Sequence, residues 1–183
     1  GAMAMAPSFD VAGWFANGPV LFRRVGPVLL DGAHVAAPIE RLIFADDAFE
    51  QADAEIVALL KAALDRASPA LPASHHARVA PEGFDPWREA FRVIQGYEVW
   101  QRYGNFVARA RPQLGPGIKE RMTFAATVNE ADAAAARRGH DQARAHLRDL
   151  LPPGTILALP TAPCIAPLIA TPADALESFR IRV

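Results

Sequence analysis

The sequence predicts an α/β fold that is mostly helical, with two or three strands of a mixed sheet among about five helices. Two short apolar runs, at residues 41–45 and 155–159, have the length and composition of buried strands. Longer segments place apolar residues at helical spacing, most clearly at residues 54–66. Proline-containing stretches such as residues 68–74 separate these segments and mark loops.

The N-terminal half is expected to contain two helices and two strands. Residues 19–30 begin with a proline suited to a first helical turn, although an internal Gly-Pro pair favours a kinked helix. The run at 41–45 predicts a buried strand, and residues 76–80 predict a second one. Between them, residues 54–66 carry one apolar stripe, with Asp53 placed to cap the helix.

The C-terminal half is expected to contain three helices and a strand. An Asp-Pro pair, in the order that suits a cap and a first helical residue, opens a helix over residues 85–111. A shorter helix is expected at residues 118–128. Asn129 then caps a helix that ends near residue 151, where Pro-Pro-Gly follows.

The strand at residues 155–159 carries apolar residues on both faces, which is typical of a central strand covered on each side. Two or three strands make a small sheet, and a central strand needs a neighbour on each side. We therefore expect this strand to belong to a larger sheet than the chain can supply. Residues 1–183 are expected to form a single segment of a longer domain.

Composition and charge narrow the class of protein. The net charge of −1 predicts no surface for a polyanion and hence no nucleic-acid partner. Hydrophobic residues, at 51%, suffice for a core, but no apolar run nears the ~20 residues of a bilayer span, so no membrane partner is expected. Cys164 is the only cysteine, which excludes an intramolecular disulfide and favours a reducing compartment, most simply the cytoplasm.

Six short motifs follow one another in an informative order. The first is Ser-Phe-Asp with Gly-Trp-Phe-Ala at residues 8–16, and the last is Leu-Pro-Thr-Ala-Pro at residues 159–163, followed by Ala-Pro-Leu. Between them lie a Val-Gly…Val-Leu-Leu helix, Pro-Glu-Gly at 81–83, Trp-Arg-Glu-Ala-Phe-Arg at 87–92 and Leu-Gly-Pro-Gly-Ile-Lys-Glu-Arg at 114–121. This order resembles the amidase signature family of serine amide hydrolases, and within it the amidases similar to indole-acetamide hydrolase.

The resemblance implies a partial amidase-signature fold and hydrolysis of a small carboxamide to a carboxylate and ammonia through an acyl-serine intermediate. Enzymes of that family use a serine nucleophile, a second serine in a cis peptide and a lysine, in or before a Gly/Ser-rich run. This chain has no Gly-Gly and no Ser-Ser pair, so those positions have no counterpart. We expect no catalytic residue in the chain, no cofactor, and no activity of the chain alone. Its expected role is scaffold and substrate-pocket wall, C-terminal to the catalytic core.

Five residues are candidates for the substrate pocket by this resemblance. Ser8 and Asp10 lie where family members bring a loop close to the cleft, although a turn cap is the competing interpretation. Thr161 and Cys164 follow a strand whose C-terminal end is where ligands bind in open α/β sheets, although a proline-rich exit loop with an inert cysteine fits equally. Arg121 is similar in position to an arginine that related amidases use on a substrate carboxylate, although an exposed helix arginine is commoner.

The remaining expectations concern the core and the partners. Trp14 and Phe15 are expected to anchor the core. No metal site is expected, because a metal needs at least about three converging ligands and the histidines are scattered. The expected partner is the small-molecule amide of the complete enzyme, with a homodimer left open. A non-catalytic amidase-like module for protein interaction, or an unrelated helical domain with a self-contained sheet, are the alternatives. Gly1, Ala2 and Met3 are native sequence or a cleavage scar.

Overall fold

The described residues of this computed structural model, 3–30, 38–115 and 117–182, divide into two units. The first comprises residues 3–30 and 85–143, and the second comprises residues 38–84 and 144–182. Gly1 and Ala2, whose origin was left open, lie outside the described residues.

The second unit contains a three-stranded sheet of β1 (Arg41–Ala45), β2 (Ser74–Ala77) and β3 (Thr155–Ala158). The strand order is β2-β1-β3, and both pairings are parallel, with Leu42 opposite Ser74 and also opposite Ile156. The central strand β1 contributes the buried side chains of this sheet. The α/β fold class is confirmed, and the three described strands all run in one direction where a mixed sheet was expected.

Residues 155–159 do not form the central strand of the described sheet, and the expectation that they belong to a larger sheet stays a prediction. β1 occupies the centre, whereas β3 lies at an edge and all four of its residues are only half-buried. An apolar run reports that a segment favours burial, but the order of strands depends on pairing between segments far apart in the chain.

β2 also begins earlier than expected, at Ser74, and ends at Ala77. The backbone N–H groups of Val79 and Ala80, which were assigned to this strand, donate instead to the Asp47 carboxylate. Those two N–H groups therefore do not pair with a neighbouring strand, which explains why β2 ends before residue 79.

Among its described residues, the second unit has four helical segments of its own, besides the end of a longer helix. They are α2 (Asp46–Glu50), α3 (Ala54–Ala67), a single 3₁₀ turn (Ser68–Ala70) and α7 (Ala173–Arg182). The prediction of α3 is confirmed, and Asp53 occupies its N-cap position. The Asp53 side chain makes no capping hydrogen bond, while its backbone N–H donates to Pro163 O at 2.7 Å. Neither α2 nor α7 was predicted, because α2 is a single turn and α7 lacks a clear apolar stripe.

The first unit is helical in its described residues. It contains α1 (Pro19–Leu29), α4 (Asp85–Ala110), α5 (Ile118–Ala125) and the beginning of α6 (Glu130–Leu150), whose last residues are counted with the second unit. All four were expected from the sequence, with α5 ending three residues before the expected end at 128. Asn129 caps α6 as expected, because its Oδ1 accepts the Asp132 N–H at 2.9 Å.

The expectation that Phe15 anchors the core was wrong, since its exposed fraction is 102%. Trp14 is half-buried and stacks on Phe22 of α1 with ring centroids 5.2 Å apart. α1 contributes no buried residue of its own, so its aromatic neighbours do not form a core. In the described ranges, none of the helices combines the length and apolar content that a bilayer span requires.

Replacing Gly154 with alanine is expected to lower the free energy of unfolding by about 2–3 kcal/mol. Gly154 has a φ of 83°, which disfavours a side chain, and an added Cβ would lie 3.0 Å from Pro38 O. Gly154 O also accepts the backbone N–H of Glu40 at 2.8 Å, so a displacement would disturb the start of β1. Urea denaturation followed by circular dichroism measures the change.

Gly139→Ala is the matched control for that substitution. Gly139 lies within helix α6, and an added Cβ there meets no atom within 4 Å. Alanine is the better helix former, so Gly139→Ala should leave stability unchanged or raise it by up to about 1 kcal/mol. Equal stability of the two variants would show that the conformation of Gly154 is not a constraint.

Candidate functional site

The carboxyl ends of the three strands lie at one edge of the sheet, because the strands are parallel. Ligands in open α/β sheets bind at this edge, so the residues that follow each strand form the candidate site. Asp46 and Asp47 follow β1, Arg78 follows β2, and the exit segment, defined as residues 159–169, follows β3.

Asp47 is the buried polar centre of this edge, with an exposed fraction of 2%. Its Oδ1 accepts the backbone N–H groups of Ala48 at 3.1 Å and Val79 at 3.0 Å, and its Oδ2 accepts that of Ala80 at 2.7 Å. The His146 side chain completes the arrangement, with Nε2 3.1 Å from Val79 O. The carboxylate thus fixes the segment after β2 to the helix that follows β1.

Two exposed polar pairs also lie at this edge. Asp46 Oδ1 lies 2.7 Å from His76 Nδ1, and the His76 ring stacks on Phe44 with centroids 5.3 Å apart. Arg78 donates to both oxygens of Glu50, at 2.8 and 2.9 Å. The hydrogen bond to Glu50, followed by its charge, raises the pKa of the Arg78 guanidinium. Among these residues, the three carboxylates of Asp46, Asp47 and Glu50 outnumber the one guanidinium of Arg78.

Two predicted pocket residues, Thr161 and Cys164, lie in the exit segment. Thr161 is exposed, and Cys164 is a half-buried free thiol. Between them, Pro163 is buried and its carbonyl accepts the Asp53 N–H at 2.7 Å. This hydrogen bond fixes the exit segment to the start of α3, which gives Thr161 a defined position beyond the strand ends.

Ser8 and Asp10 lie in one N-terminal turn of the first unit. The Asp10 carboxylate accepts the N–H groups of Met5 at 2.8 Å and Ala6 at 3.2 Å, which is the geometry of a turn cap. Ser8 donates its N–H and its hydroxyl to Glu98 of α4, at 3.0 and 2.5 Å. Both side chains thus hold the N-terminal turn.

Arg121, the fifth predicted residue, is exposed on α5. Its backbone N–H donates to Gly117 O at 3.3 Å in the first turn of the helix. The five predicted residues are therefore divided between the units, with Ser8, Asp10 and Arg121 in the first and the other two in the second.

Sequence reasoning missed Asp47 and its partners. The acidic pair Asp46 and Asp47 directly follows the strand predicted at residues 41–45 and was not among the predicted site residues. The signal that could have identified Asp47 is the position itself, because a polar residue at the carboxyl end of a parallel strand lies beside the loops of the neighbouring strands. Its burial and its acceptance of three backbone N–H groups depend on residues 32 and 33 positions later, which no local pattern reports.

A separate groove of about 490 Å³ lies within the first unit. Its lining combines small and apolar side chains of α4, α5 and α6, among them Ala90, Val93, Phe124 and Ala136. Glu89 also lines it, and a hydrogen bond from Arg92 lowers the pKa of that carboxyl group. Across the described part of the chain, no group of three or more His, Cys, Asp or Glu side chains is arranged to hold a metal ion.

Comparison with known proteins gives two informative similarities, although no protein-family model matches the chain. The chain is 27% identical over 213 residues to Amidase 1 of Arabidopsis thaliana, spanning 100% of this chain and 50% of that protein. It therefore spans about half the length of the curated relative. A solved structure described as a crystal structure of amidase superposes with a TM-score of 0.64 at 19% identity, over 76% of this chain and 32% of that one. The structural similarity shows that the chain has part of an α/β amidase fold, and the sequence similarity to Amidase 1 extends along the whole chain.

Proposed function

We propose that this chain is part of an amidase that hydrolyses a small carboxamide to a carboxylate and ammonia. The observation that carries the proposal is the similarity to Amidase 1, which extends along the whole chain. The parallel sheet also supports the proposal. The exit segment and the buried Asp47 carboxylate lie at the carboxyl ends of its strands, where α/β proteins bind ligands.

The reaction proceeds through an acyl-serine intermediate. A serine hydroxyl adds to the amide carbonyl carbon, the C–N bond breaks, and ammonia leaves with the proton from the serine. Water then attacks the resulting ester and releases the carboxylate with regeneration of the serine. The nucleophile, its cis-serine partner and the lysine lie outside this chain in the proposal, since the Gly/Ser-rich run that would hold them is absent from the 183 residues.

The contribution of this chain is structural and positional. The exit segment forms one wall of the substrate pocket, with the Thr161 hydroxyl and the Cys164 thiol as its polar groups. Asp47 holds the segment after β2 in place, because its carboxylate accepts the N–H groups of Ala48, after β1, and of Val79, after β2. Amidases similar to indole-acetamide hydrolase are the subfamily that the motif order favours, so an aromatic acetamide is the proposed substrate class.

Ammonia release from an aromatic acetamide tests the proposal. The purified 183-residue chain should release none, whereas the protein that also contains the nucleophile-bearing part should release it in a manner blocked by a serine-directed inhibitor. Turnover by the chain alone, sensitive to the same inhibitor, would contradict the assignment of the catalytic residues. Absence of turnover by the longer protein on a panel of small amides would contradict the amidase assignment itself.

Thr161→Val tests the pocket wall in the longer protein. If the Thr161 hydroxyl contacts the amide, its loss should raise KM about three- to tenfold with a smaller effect on kcat. Thr123→Val is the control, since Thr123 is an exposed residue of α5 whose hydroxyl donates to Lys119 O within its own helix. Equal KM values for the two variants would exclude Thr161 from the wall.

A further inference from the structure

The two outer strands of the sheet, β2 and β3, form its lateral edges, and these edges differ in how they are protected. β2, at one edge, reads Ser-His-His-Ala, and its three polar residues are exposed. β3, at the other, reads Thr-Ile-Leu-Ala and is half-buried throughout. Natural proteins protect free edges with charged residues, prolines or short polar strands. The polar edge of β2 follows this rule, and β3 has no charged residue and no proline.

The chain around β3 has the same character over a longer stretch. Residues 150–173 contain no Asp, Glu, Lys, Arg or His. Four large apolar side chains of the exit segment are nevertheless exposed: Leu159, Ile165, Leu168 at 80% and Ile169 at 107%. A concentration of exposed apolar side chains with no charge among them marks a protein–protein contact surface.

We propose that the outer edge of β3 and the exit segment are the docking surface for the nucleophile-bearing part of the amidase. That part would add a strand beside β3 and would cover the apolar side chains of the exit segment. The inference rests on the proposed function, and it names the surface through which the two parts of the enzyme join. Backbone hydrogen bonds along β3 would supply the register, and the apolar side chains would supply most of the affinity.

Strand direction and chain length both favour this occupant over a second copy of the chain. A two-fold symmetric contact between two β3 edges would be antiparallel, whereas both pairings of the described sheet are parallel. Side chains that are apolar on both faces are typical of strands inside a parallel sheet. The chain also spans only 50% of the length of the Arabidopsis relative, so a partner of similar size is available in an amidase.

Hydrogen exchange on the 183-residue chain, alone and joined to or co-expressed with the nucleophile-bearing part encoded in its source genome, tests the surface. The amides of Thr155–Ala158 should exchange at least about tenfold more slowly in the presence of that part. The amides of Ser74–Ala77 should change little, because β2 lies at the opposite edge.

Two substitutions to lysine separate the docking surface from a general effect of charge. Ile169→Lys places a charge in the exit segment at a fully exposed position, so the fold of the chain is expected to survive. It should weaken association of the separately expressed parts at least about tenfold, or remove the added protection of β3 in a continuous protein. Leu59→Lys on α3 is the control, because Leu59 is also an exposed, large apolar residue of the second unit but lies outside the exit segment.

The outcomes distinguish this inference from the proposed function. Slow exchange in β3 without ammonia release would support the docking surface and count against the amide hydrolysis. Ammonia release with unprotected β3 amides, unaffected by Ile169→Lys, would overturn the docking surface and leave the amidase intact. Protection of β3 by concentration-dependent self-association of the chain alone would show that a second copy occupies the edge. A source genome that encodes no nucleophile-bearing part would overturn both.

Discussion

Replacing Asp47 with alanine is expected to lower the free energy of unfolding by about 3–5 kcal/mol, the largest effect of any single substitution considered for the second unit. The carboxylate is buried and accepts the N–H groups of Ala48, Val79 and Ala80. Alanine offers no acceptor, so buried donors lose their partner at about 1–3 kcal/mol each, reduced where water enters the vacated space. Urea denaturation measured by circular dichroism reports the loss.

Asp47→Asn should have an intermediate effect, about 1–3 kcal/mol, because only one of the two carboxylate oxygens is retained. An amide oxygen in place of Oδ1 can still accept from Ala48 and Val79, but the amide NH₂ would face the Ala80 N–H, which is also a donor. Asp65→Asn on the exposed surface of α3 is the control and should change stability by less than about 0.5 kcal/mol. Equal stability of the Asp47 and Asp65 variants would contradict the anchoring role of Asp47.

Ile94→Ala is expected to lower the free energy of unfolding by about 3–4 kcal/mol. Ile94 lies on α4 with an exposed fraction of 1%, and it is the largest fully buried side chain among the described residues. α4 packs closely on α5 beside it, as shown by the 3.1 Å that would separate a Cβ added at Gly96 from the Phe124 ring. Truncation at this position therefore removes buried methyl groups and leaves a cavity that the neighbouring helices cannot readily close.

Two further variants separate burial from side-chain size at this site. Ile94→Val removes one methylene and should cost about 1 kcal/mol. Phe106→Ala removes a larger side chain from the same helix, but Phe106 is exposed, so its loss should be smaller than that of Ile94→Ala. If Phe106→Ala proved the more destabilising, the assignment of Ile94 to the core of the first unit would be wrong.

The helices could be predicted from the sequence because their signals are local. Apolar periodicity, the Asp-Pro start of α4 and the Asn129 cap of α6 all lie within a few residues of what they specify. The position of β1 could be predicted for the same reason. The end of β2 could not, because it depends on the Asp47 carboxylate taking the N–H groups of residues 79 and 80.

Burial depends on distant neighbours, and there the sequence was a weaker guide. Phe15 has the composition of a core residue, yet the helix beside it buries none of its side chains. Residues 155–159 have the composition of a central strand, yet β3 lies at the edge of the described sheet. Both patterns indicate side chains suited to burial, but the periodicity of a single segment does not encode which element covers them.

In the candidate site, too, local features could be predicted from the sequence and contacts between distant residues could not. The motif at residues 159–163 correctly indicated a segment at the carboxyl edge of the sheet, because that placement follows from a strand and the chain leaving it. The hydrogen-bond partners of Asp10 are also local, since they lie four and five residues away. Glu98, which receives both donors of Ser8, lies 90 positions later and could not be identified from the sequence.

The order of strands has a consequence for the rate at which the sheet assembles. Leu42 pairs with Ser74, 32 positions later, whereas Arg41 pairs with Thr155, 114 positions later. Closing the longer loop costs about 1 kcal/mol more in chain entropy, so β1 and β2 should pair first and β3 should join in a slower step. During synthesis, β1 leaves the ribosome more than 100 residues before its second partner exists, and its apolar face stays incompletely covered for that interval. The nascent chain is therefore expected to depend on chaperones more than its modest length suggests.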